Sequence, residues 1–169
     1  MATIVTTTYD STTDTTALTI TLASLATSSS LLVGRESTAI SNVSNLYVDA
    51  LVSGQITTGT SPTAGTIEVW AYGIIKHVAS TPTYPSPVTG TDAAITFVAE
   101  TKLRQLIAAI PTNATSNTAY SIPPTSIASL FGVLPIKWGV AVIHNTAVNL
   151  HATAGNHWIH MQGIKYTNT

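Results

Sequence analysis

The sequence predicts an all-β protein, an antiparallel β-sandwich with one or two short helices. Apolar residues alternate with polar or small ones in several segments, as in strands that bury one face. Thr and Ser, more than a quarter of the 169 residues, favour extended backbone and turns. Turn signals recur along the whole chain, which is typical of a sandwich. Among sandwiches the prediction is a jelly roll, with an immunoglobulin-like topology second, because the chain has no Cys for that fold's spacing.

The first hundred residues read as strands that follow an extended start. Residues 2–16 are nearly all Thr, Ser, Asp and small residues, which predicts an extended arm or a loose first strand. The predicted organisation is therefore an arm over residues 1–16 and a single β-sandwich domain over residues 17–169. Alternation predicts five strands in this half of the chain, at Thr16–Leu25, Leu31–Glu36, Asn45–Val52, Thr66–His77 and Ala93–Val98. Three prolines exclude a central strand between Ser80 and Asp92.

The period of the apolar residues changes after residue 100. Four of them fall at i, i+3, i+4 and i+7 and predict a short helix over Thr101–Ile110, which Pro111 would end. These four are Leu103, Leu106, Ile107 and Ile110. A second helical turn is predicted within Pro123–Gly132, with Thr125 as the N-cap and Gly132 just past the last helical residue.

The segment Ile136–Tyr166 predicts an antiparallel meander of three strands, central to a sheet. Its first strand alternates through Trp138 and ends at the Asn145-Thr146 turn. A short piece through Leu150 follows, and a second turn leads to the last strand. We expect this meander to be scaffold, because it contains no recognisable chemistry.

Composition excludes several classes of partner and site. Charged residues make up only 8% of the chain and the net charge is −1, so clustered cations for nucleic acid are absent and no nucleic-acid partner is predicted. Without Cys there is no disulfide, thiolate zinc site or thiol nucleophile. No apolar run reaches the roughly eighteen residues of a membrane span. The first residues show neither the basic nor the apolar region of a signal peptide, and none is predicted.

Histidines form the most tempting cluster for chemistry. His144, His151, His157 and His160 lie in or beside the last meander, and neutral imidazole is a good transition-metal ligand. However, His157 and His160 are three apart on a strand and point to opposite faces. The last acidic residue is Glu100, so no carboxylate is near in sequence. We therefore expect partly buried or interfacial histidines, and predict neither a metal site nor a cofactor.

Acidic residues and hydroxyls offer no catalytic signature. Asp49 and Glu68 are on consecutive predicted strands and could face each other, and Arg35-Glu36 could pair with either. Such pairs are more often structural ion pairs than a catalytic dyad. Gly-x-Ser-x-Gly and a glycine-rich phosphate loop do not occur. The chain is therefore predicted not to be an enzyme, with no catalytic residues.

Tryptophans give the remaining hypothesis for a site. Trp70, Trp138 and Trp158, with the Tyr residues, could form a platform on which sugars stack. Tryptophans on central strands more often pack between the sheets, and we expect that here.

Seven short segments, spread over about two thirds of the chain, resemble small structural proteins of tailed bacteriophage virions. They are Leu32–Ser37, Ser53–Thr60, Pro124–Gly132, Leu134-Pro135, Trp138–Val142, Asn145–Ala147 and Gly155-Asn156. One position departs from the pattern, because Ala147 follows the Asn-Thr turn where a Gly is expected.

The resemblance implies a jelly-roll capsid decoration or cement protein, or part of a fibre, that commonly forms trimers. The expected partners are the major capsid protein and further copies of this chain, and the expected location is the capsid surface of a virion assembled in the host cytoplasm. The alternative is a fibre or lectin-like module that contacts host glycans. The resemblance brings no catalytic or ligand-binding residues with it.

Overall fold

A computed structural model of the chain describes residues 5–10, 16–75, 81–99, 102–103 and 105–168. Within them, two antiparallel sheets pack face to face, which confirms the predicted all-β sandwich. Strands are numbered in chain order. The first sheet contains β1 (Val5–Tyr9), β2 (Thr16–Ala17), β5 (Asp49–Thr57), β9 (Ala119–Ser126) and β11 (Trp158–Asn168). The second contains β3 (Val33–Glu36), β4 (Ile40–Ser41), β6 (Gly65–Gly73), β7 (Ala93–Thr96), β8 (Gln105–Thr112) and β10 (Lys137–His144).

The order of the strands is that of a jelly roll. The first sheet runs β1-β11-β5-β9, with β2 beside β11, and the second runs β7-β3-β10-β6-β8, with β4 beside β10. The antiparallel strand pairs of the two sheets are nested along the chain: β1 pairs with β11, β3 with β10, β5 with β9 and β6 with β8. Rolling up one long hairpin produces this nesting, which is the jelly-roll topology. The strand β7 is an addition at the edge of the second sheet.

The main core lies between the two sheets. Alternate residues of the first sheet, such as Val52 and Ile159, meet Val69 and Val142 of the second, and all four are buried. Trp138 joins them from the start of β10 with 1% of its surface exposed. This packing follows from the period-two pattern of each strand, because every second side chain points to the same face.

The second sheet is also covered on its outer face. Tyr72, Ile95, Phe97 and Ile143 form a separate buried cluster there. Segment 81–99 supplies part of this cover and is held by Glu36, which is completely buried. The Glu36 carboxylate accepts hydrogen bonds from the backbone N–H groups of Thr89 and Gly90 and from the Thr89 hydroxyl, at 2.8–3.1 Å. As a result, seven of the eight residues of β10 are buried.

The predicted meander is wrong in one essential respect. β10 and β11 belong to different sheets, and residues 145–157 carry the chain from one sheet to the other. Within this connection Leu150 makes only an isolated bridge, to Thr58. Alternation shows that a segment is a strand, but it does not show which strand lies beside it.

The predicted helix over Thr101–Ile110 is also wrong, because Gln105–Thr112 forms strand β8. A bulge places one extra residue of β8 opposite Val69 and Trp70, which interrupts the period of two. Leu103 packs on the outer face of the second sheet, whereas Ile107 points into the main core. The helical spacing therefore arises from one segment that serves two cores. Pro111 is tolerated because β8 is an edge strand.

The predicted strand Thr16–Leu25 is shorter than expected. Only Thr16–Ala17 pairs as β2, although the Leu18 N–H still donates to Ile159 O at 2.8 Å. Leu18 and Leu22 are nevertheless buried in the main core. Their alternation therefore reflects burial along the edge of the sandwich, not a ladder of strand hydrogen bonds.

The predicted second helix is confirmed, with its cap moved by one residue. The helix α1 spans Ile127–Phe131, and Gly132 follows with a left-handed φ of 84°. Ser126 is the N-cap, and its hydroxyl accepts the Ser129 N–H at 3.0 Å. Thr125 does not cap the helix because it still pairs with Val52 in β9.

Replacing the buried carboxylate tests its role in holding the covering segment. We expect Glu36→Gln to lower the free energy of unfolding by about 2 kcal/mol, since an amide offers one acceptor oxygen to two backbone N–H groups. Thr89→Ala keeps both backbone N–H groups and removes the hydroxyl's hydrogen bond to Glu36 and its contacts with Thr91, and it should cost about 1 kcal/mol. Urea denaturation measures both values. A Glu36→Gln variant as stable as wild type would contradict this assignment.

The turn after β10 gives a second test. Ala147 has a left-handed φ of 64°, a conformation that costs a residue with a Cβ about 1–2 kcal/mol. The Gly expected from the family resemblance would relieve this cost, less the greater entropy it loses on folding. We expect Ala147→Gly to raise the free energy of unfolding by about 0.5 kcal/mol. Ala152→Gly, in the same connection but outside the positive-φ region, is the control and should give no gain.

Candidate functional site

The histidines occupy one end of the sandwich but do not form a metal centre. His144, the last residue of β10, is fully buried. Its Nε2 lies 3.0 Å from Leu25 O and its Nδ1 lies 3.1 Å from the Thr146 hydroxyl. Because a carbonyl only accepts, Nε2 carries the proton, and both ring nitrogens are occupied by structural contacts.

His151 and His157 are tied to each other and to the backbone. His157 Nε2 donates to His151 O at 2.8 Å, and its Nδ1 accepts the Thr57 N–H at 3.3 Å. Burial lowers the pKa of His157, and the neighbouring His151 lowers it further against the opposing effect of the hydrogen bond to His151 O. Burial likewise lowers the pKa of His144. Both rings are therefore neutral near pH 7.

His160 lies apart from the other three histidines. Its ring packs edge-on against Trp158, with ring centroids 5.3 Å apart. Within the described residues, no three His, Asp or Glu side chains come close enough together to hold a metal ion. His151, His157 and His160 are thus partly buried, as expected, and His144 is fully buried.

Asp49 and Glu68 make structural contacts, as expected, but they do not face each other. Asp49 lies on β5 in the first sheet and Glu68 on β6 in the second. Asp49 accepts hydrogen bonds from the Ser126 hydroxyl and the Ala128 N–H at the start of α1. Glu68 pairs with Lys102 at 2.6 Å and accepts the Trp70 indole N–H at 2.9 Å. Consecutive strands of a jelly roll can lie in opposite sheets, which explains the separation.

Arg35 and Glu36 also have other partners than those expected. The Arg35 guanidinium pairs with Asp92 at 2.5 Å, and Glu36 binds the segment around Thr89. Burial alone would raise the pKa of Asp92, but hydrogen bonds from Arg35 and Thr21 hold it below its usual value. The Arg35–Asp92 ion pair and the hydrogen bonds of Glu36 therefore fasten segment 81–99 to β3.

The three tryptophans lie in three different environments and form no common platform. Trp138 is in the main core, as expected for a central strand. Trp70 is half-buried on the outer face of the second sheet, with Lys102 Nζ 5.1 Å from its ring centroid. Trp158 is on the outer face of the first sheet and is 42% exposed. The expectation of core packing therefore holds for Trp138 alone.

An edge ribbon, formed by β1 and residues 164–168 of β11, is the most exposed paired element of the described chain. All five residues of β1 are exposed. Val5, Thr7 and Tyr9 lie opposite Asn168, Tyr166 and Ile164, so Val5, Tyr9 and Tyr166 share one face. Tyr9 is 57% and Tyr166 63% exposed. The ribbon carries apolar side chains that the described residues leave uncovered.

Comparison with known proteins adds no assignment. No protein-family description matches the chain, and neither curated proteins nor solved structures give a match. Across the part of the chain that the structure describes, no helix is long and apolar enough to cross a membrane.

The buried histidines predict a loss of stability in mild acid. Their folded-state pKa values lie below the usual 6.5, so the unfolded chain binds more protons as the pH falls below that value. The stability that these neutral histidines contribute is fully present above pH 6.5. It decreases as the pH falls toward their lower folded-state pKa values. We expect the melting temperature to fall between about pH 7 and pH 5, and to fall less steeply in His144→Gln. A flat profile for the wild type would contradict the neutral assignment.

Proposed function

We propose that this chain is a virion structural protein that decorates or cements the head of a tailed phage. In this proposal it has no enzymatic activity, sits on the capsid surface, and binds the major capsid protein as a homotrimer. The resemblance of its seven segments to phage structural proteins supports the class, and the trimer follows from the same resemblance. The jelly-roll fold and the charge-poor composition are compatible with this role.

The edge ribbon is the observation that carries the proposal. Val5, Tyr9 and Tyr166 expose most of their surface on a strand pair whose outer edge has no strand partner among the described residues. β1 contains no Lys or Pro, the residues that commonly protect an edge against pairing with another chain. A capsid subunit or a second copy would bury this apolar area at about 25 cal/mol per Å².

Low charge favours the same role. The net charge of −1 leaves little repulsion between copies packed side by side at high local density. Thr6, Thr7 and Thr8 in β1 carry hydroxyl and methyl groups. Such groups are better suited to contact with a neutral protein surface than with a charged polymer such as DNA.

Copurification with particles tests the proposal. In purified virions of the source phage, the chain should be present at tens to hundreds of copies, and light scattering of the isolated protein should give three times the mass of one chain. Absence from the particles would remove the proposal. A monomer at micromolar concentration would remove the trimer.

Variants of the ribbon test the attachment. We expect the double variant Val5→Thr/Tyr9→Thr to bind particles at least tenfold more weakly, because it keeps a strand-forming sequence and removes the apolar side chains. The matched control is Val43→Thr/Val133→Thr, which removes two exposed apolar side chains elsewhere. Truncation of residues 2–16 should abolish attachment. Equal binding by the ribbon variant and the control would contradict a role for the ribbon.

A fibre or lectin-like module is the second candidate function. The three tryptophans do not supply a common platform for it, but one observation favours binding of a neutral ligand. A cavity whose described lining includes several uncharged polar side chains lies at one end of the sandwich.

A further inference from the structure

The polar cavity has a volume of about 370 Å³ and forms where four connections between strands meet. These connections are residues 18–32, 58–64, 113–118 and 145–157. Each joins a strand of one sheet to a strand of the other, so the jelly roll brings all four to the same end. Cavities that bind small molecules begin at about 300 Å³, so this one has room for such a ligand.

The described lining of the cavity has no Lys, Arg, Asp or Glu, and apolar Val148, Leu150 and Ala152 lie beside its polar side chains. Ser24, Thr60, Asn117 and Asn149 contribute hydroxyl and amide groups. All four residues are exposed, and none of their side chains hydrogen-bonds to another described residue. Four groups that can each donate and accept a hydrogen bond thus converge on one concave site.

The ring of His151 is held by neighbouring polar groups. Its Nδ1 accepts the Thr153 N–H at 3.1 Å and lies 3.0 Å from the Asn156 amide nitrogen. The same amide nitrogen lies 3.4 Å from Nε2, so Asn156 is close to both ring nitrogens. His151 also lines the cavity.

Backbone hydrogen bonds fix the connections against each other. The Ser24 N–H donates to His151 O, the Asn117 N–H to Gly59 O and the His151 N–H to Thr57 O, at 3.0–3.2 Å. A Cβ on Gly59 would lie 2.2 Å from Asn149 O, so this residue type permits the close approach of two connections. The cavity is therefore formed before any ligand binds, which reduces the entropy lost on binding.

From this geometry we infer that the cavity binds a neutral saccharide unit through Asn117, Asn149 and the hydroxyls of Ser24 and Thr60. Sugar hydroxyls donate and accept at once, as do the amide and hydroxyl groups that line the site. Among the described residues no Lys, Arg, Asp or Glu lines it, and these residues offer no countercharge to phosphate, nucleotide or carboxylate ligands. The inference rests on the second candidate function, to which it gives a site, and it is independent of capsid attachment.

Titration of the full chain with neutral sugars, followed by ¹H–¹⁵N NMR, tests the inference. The probes are glucose, galactose and N-acetylglucosamine, with galacturonate as an anionic comparison. We expect saturable shifts at Thr60, Asn117, Asn149 and His151 with at least one neutral sugar at millimolar concentration, and weaker binding of galacturonate than of galactose. No saturable shift with any neutral sugar, or tighter binding of galacturonate, would overturn the inference.

Variants separate the cavity from the exposed indole of the outer face. Asn149→Ala should weaken binding by about tenfold, the effect of losing one well-placed hydrogen bond. Asn117→Gly should weaken binding by the same factor, and it serves as a second variant if Asn149→Ala does not fold. Gly adopts the left-handed φ of 55° at this position readily. Trp158→Ala is the control and should bind as wild type.

Two further outcomes distinguish failure of the site from failure of the function. In the first outcome, Trp158→Ala abolishes sugar binding and Asn149→Ala leaves it unchanged. The ligand would then bind at the outer face, which would support glycan binding and contradict the cavity as its site. A wild type that binds none of the sugars and no glycan on an array would remove both.

Discussion

A carboxylate without access to water holds one layer of this protein in place. Glu36 is fully buried, and its two oxygens take up the N–H groups of Thr89 and Gly90. An unpaired buried carboxylate would cost several kcal/mol. Detachment of segment 81–99 would therefore expose the Glu36 carboxylate to solvent or leave it buried without hydrogen-bond donors. With the segment in place, β10 is buried on both faces and becomes the centre of the fold. The apolar outer cluster and the carboxylate thus stabilise the same contact.

The two ends of the sandwich offer different chemistry to a partner. β11 starts at the end where the polar cavity lies and runs to the edge ribbon at the other end. The ribbon presents Val5, Tyr9 and Tyr166, whereas the cavity presents amides and hydroxyls. Attachment through one end would leave the other facing outward, so the capsid proposal and the saccharide inference are geometrically compatible.

The candidate sites show where reasoning from the sequence reaches its limit. The burial of Trp138 could be predicted, because a tryptophan on a central strand commonly packs between the sheets. The cavity could not, because its polar side chains come from four connections far apart in the chain. The sequence around Asn117 and Asn149 contains no motif that marks a binding site. Their convergence depends on the rolling of the hairpin, which no local pattern records.

By itself, the sequence determined that the chain is a β-sandwich and where most strands lie, since alternation over a few residues selects a strand with one buried face. It also determined α1, because apolar spacing and Gly132 mark a helix and its end. Tertiary structure alone decided that β10 and β11 lie in opposite sheets, and that Gln105–Thr112 is a strand. The physical reason is that a side-chain pattern reports burial but not the neighbour that buries it. Leu103 packs in the outer cluster and Ile107 in the main core, so their spacing matches a helix although Ile107 lies in a strand.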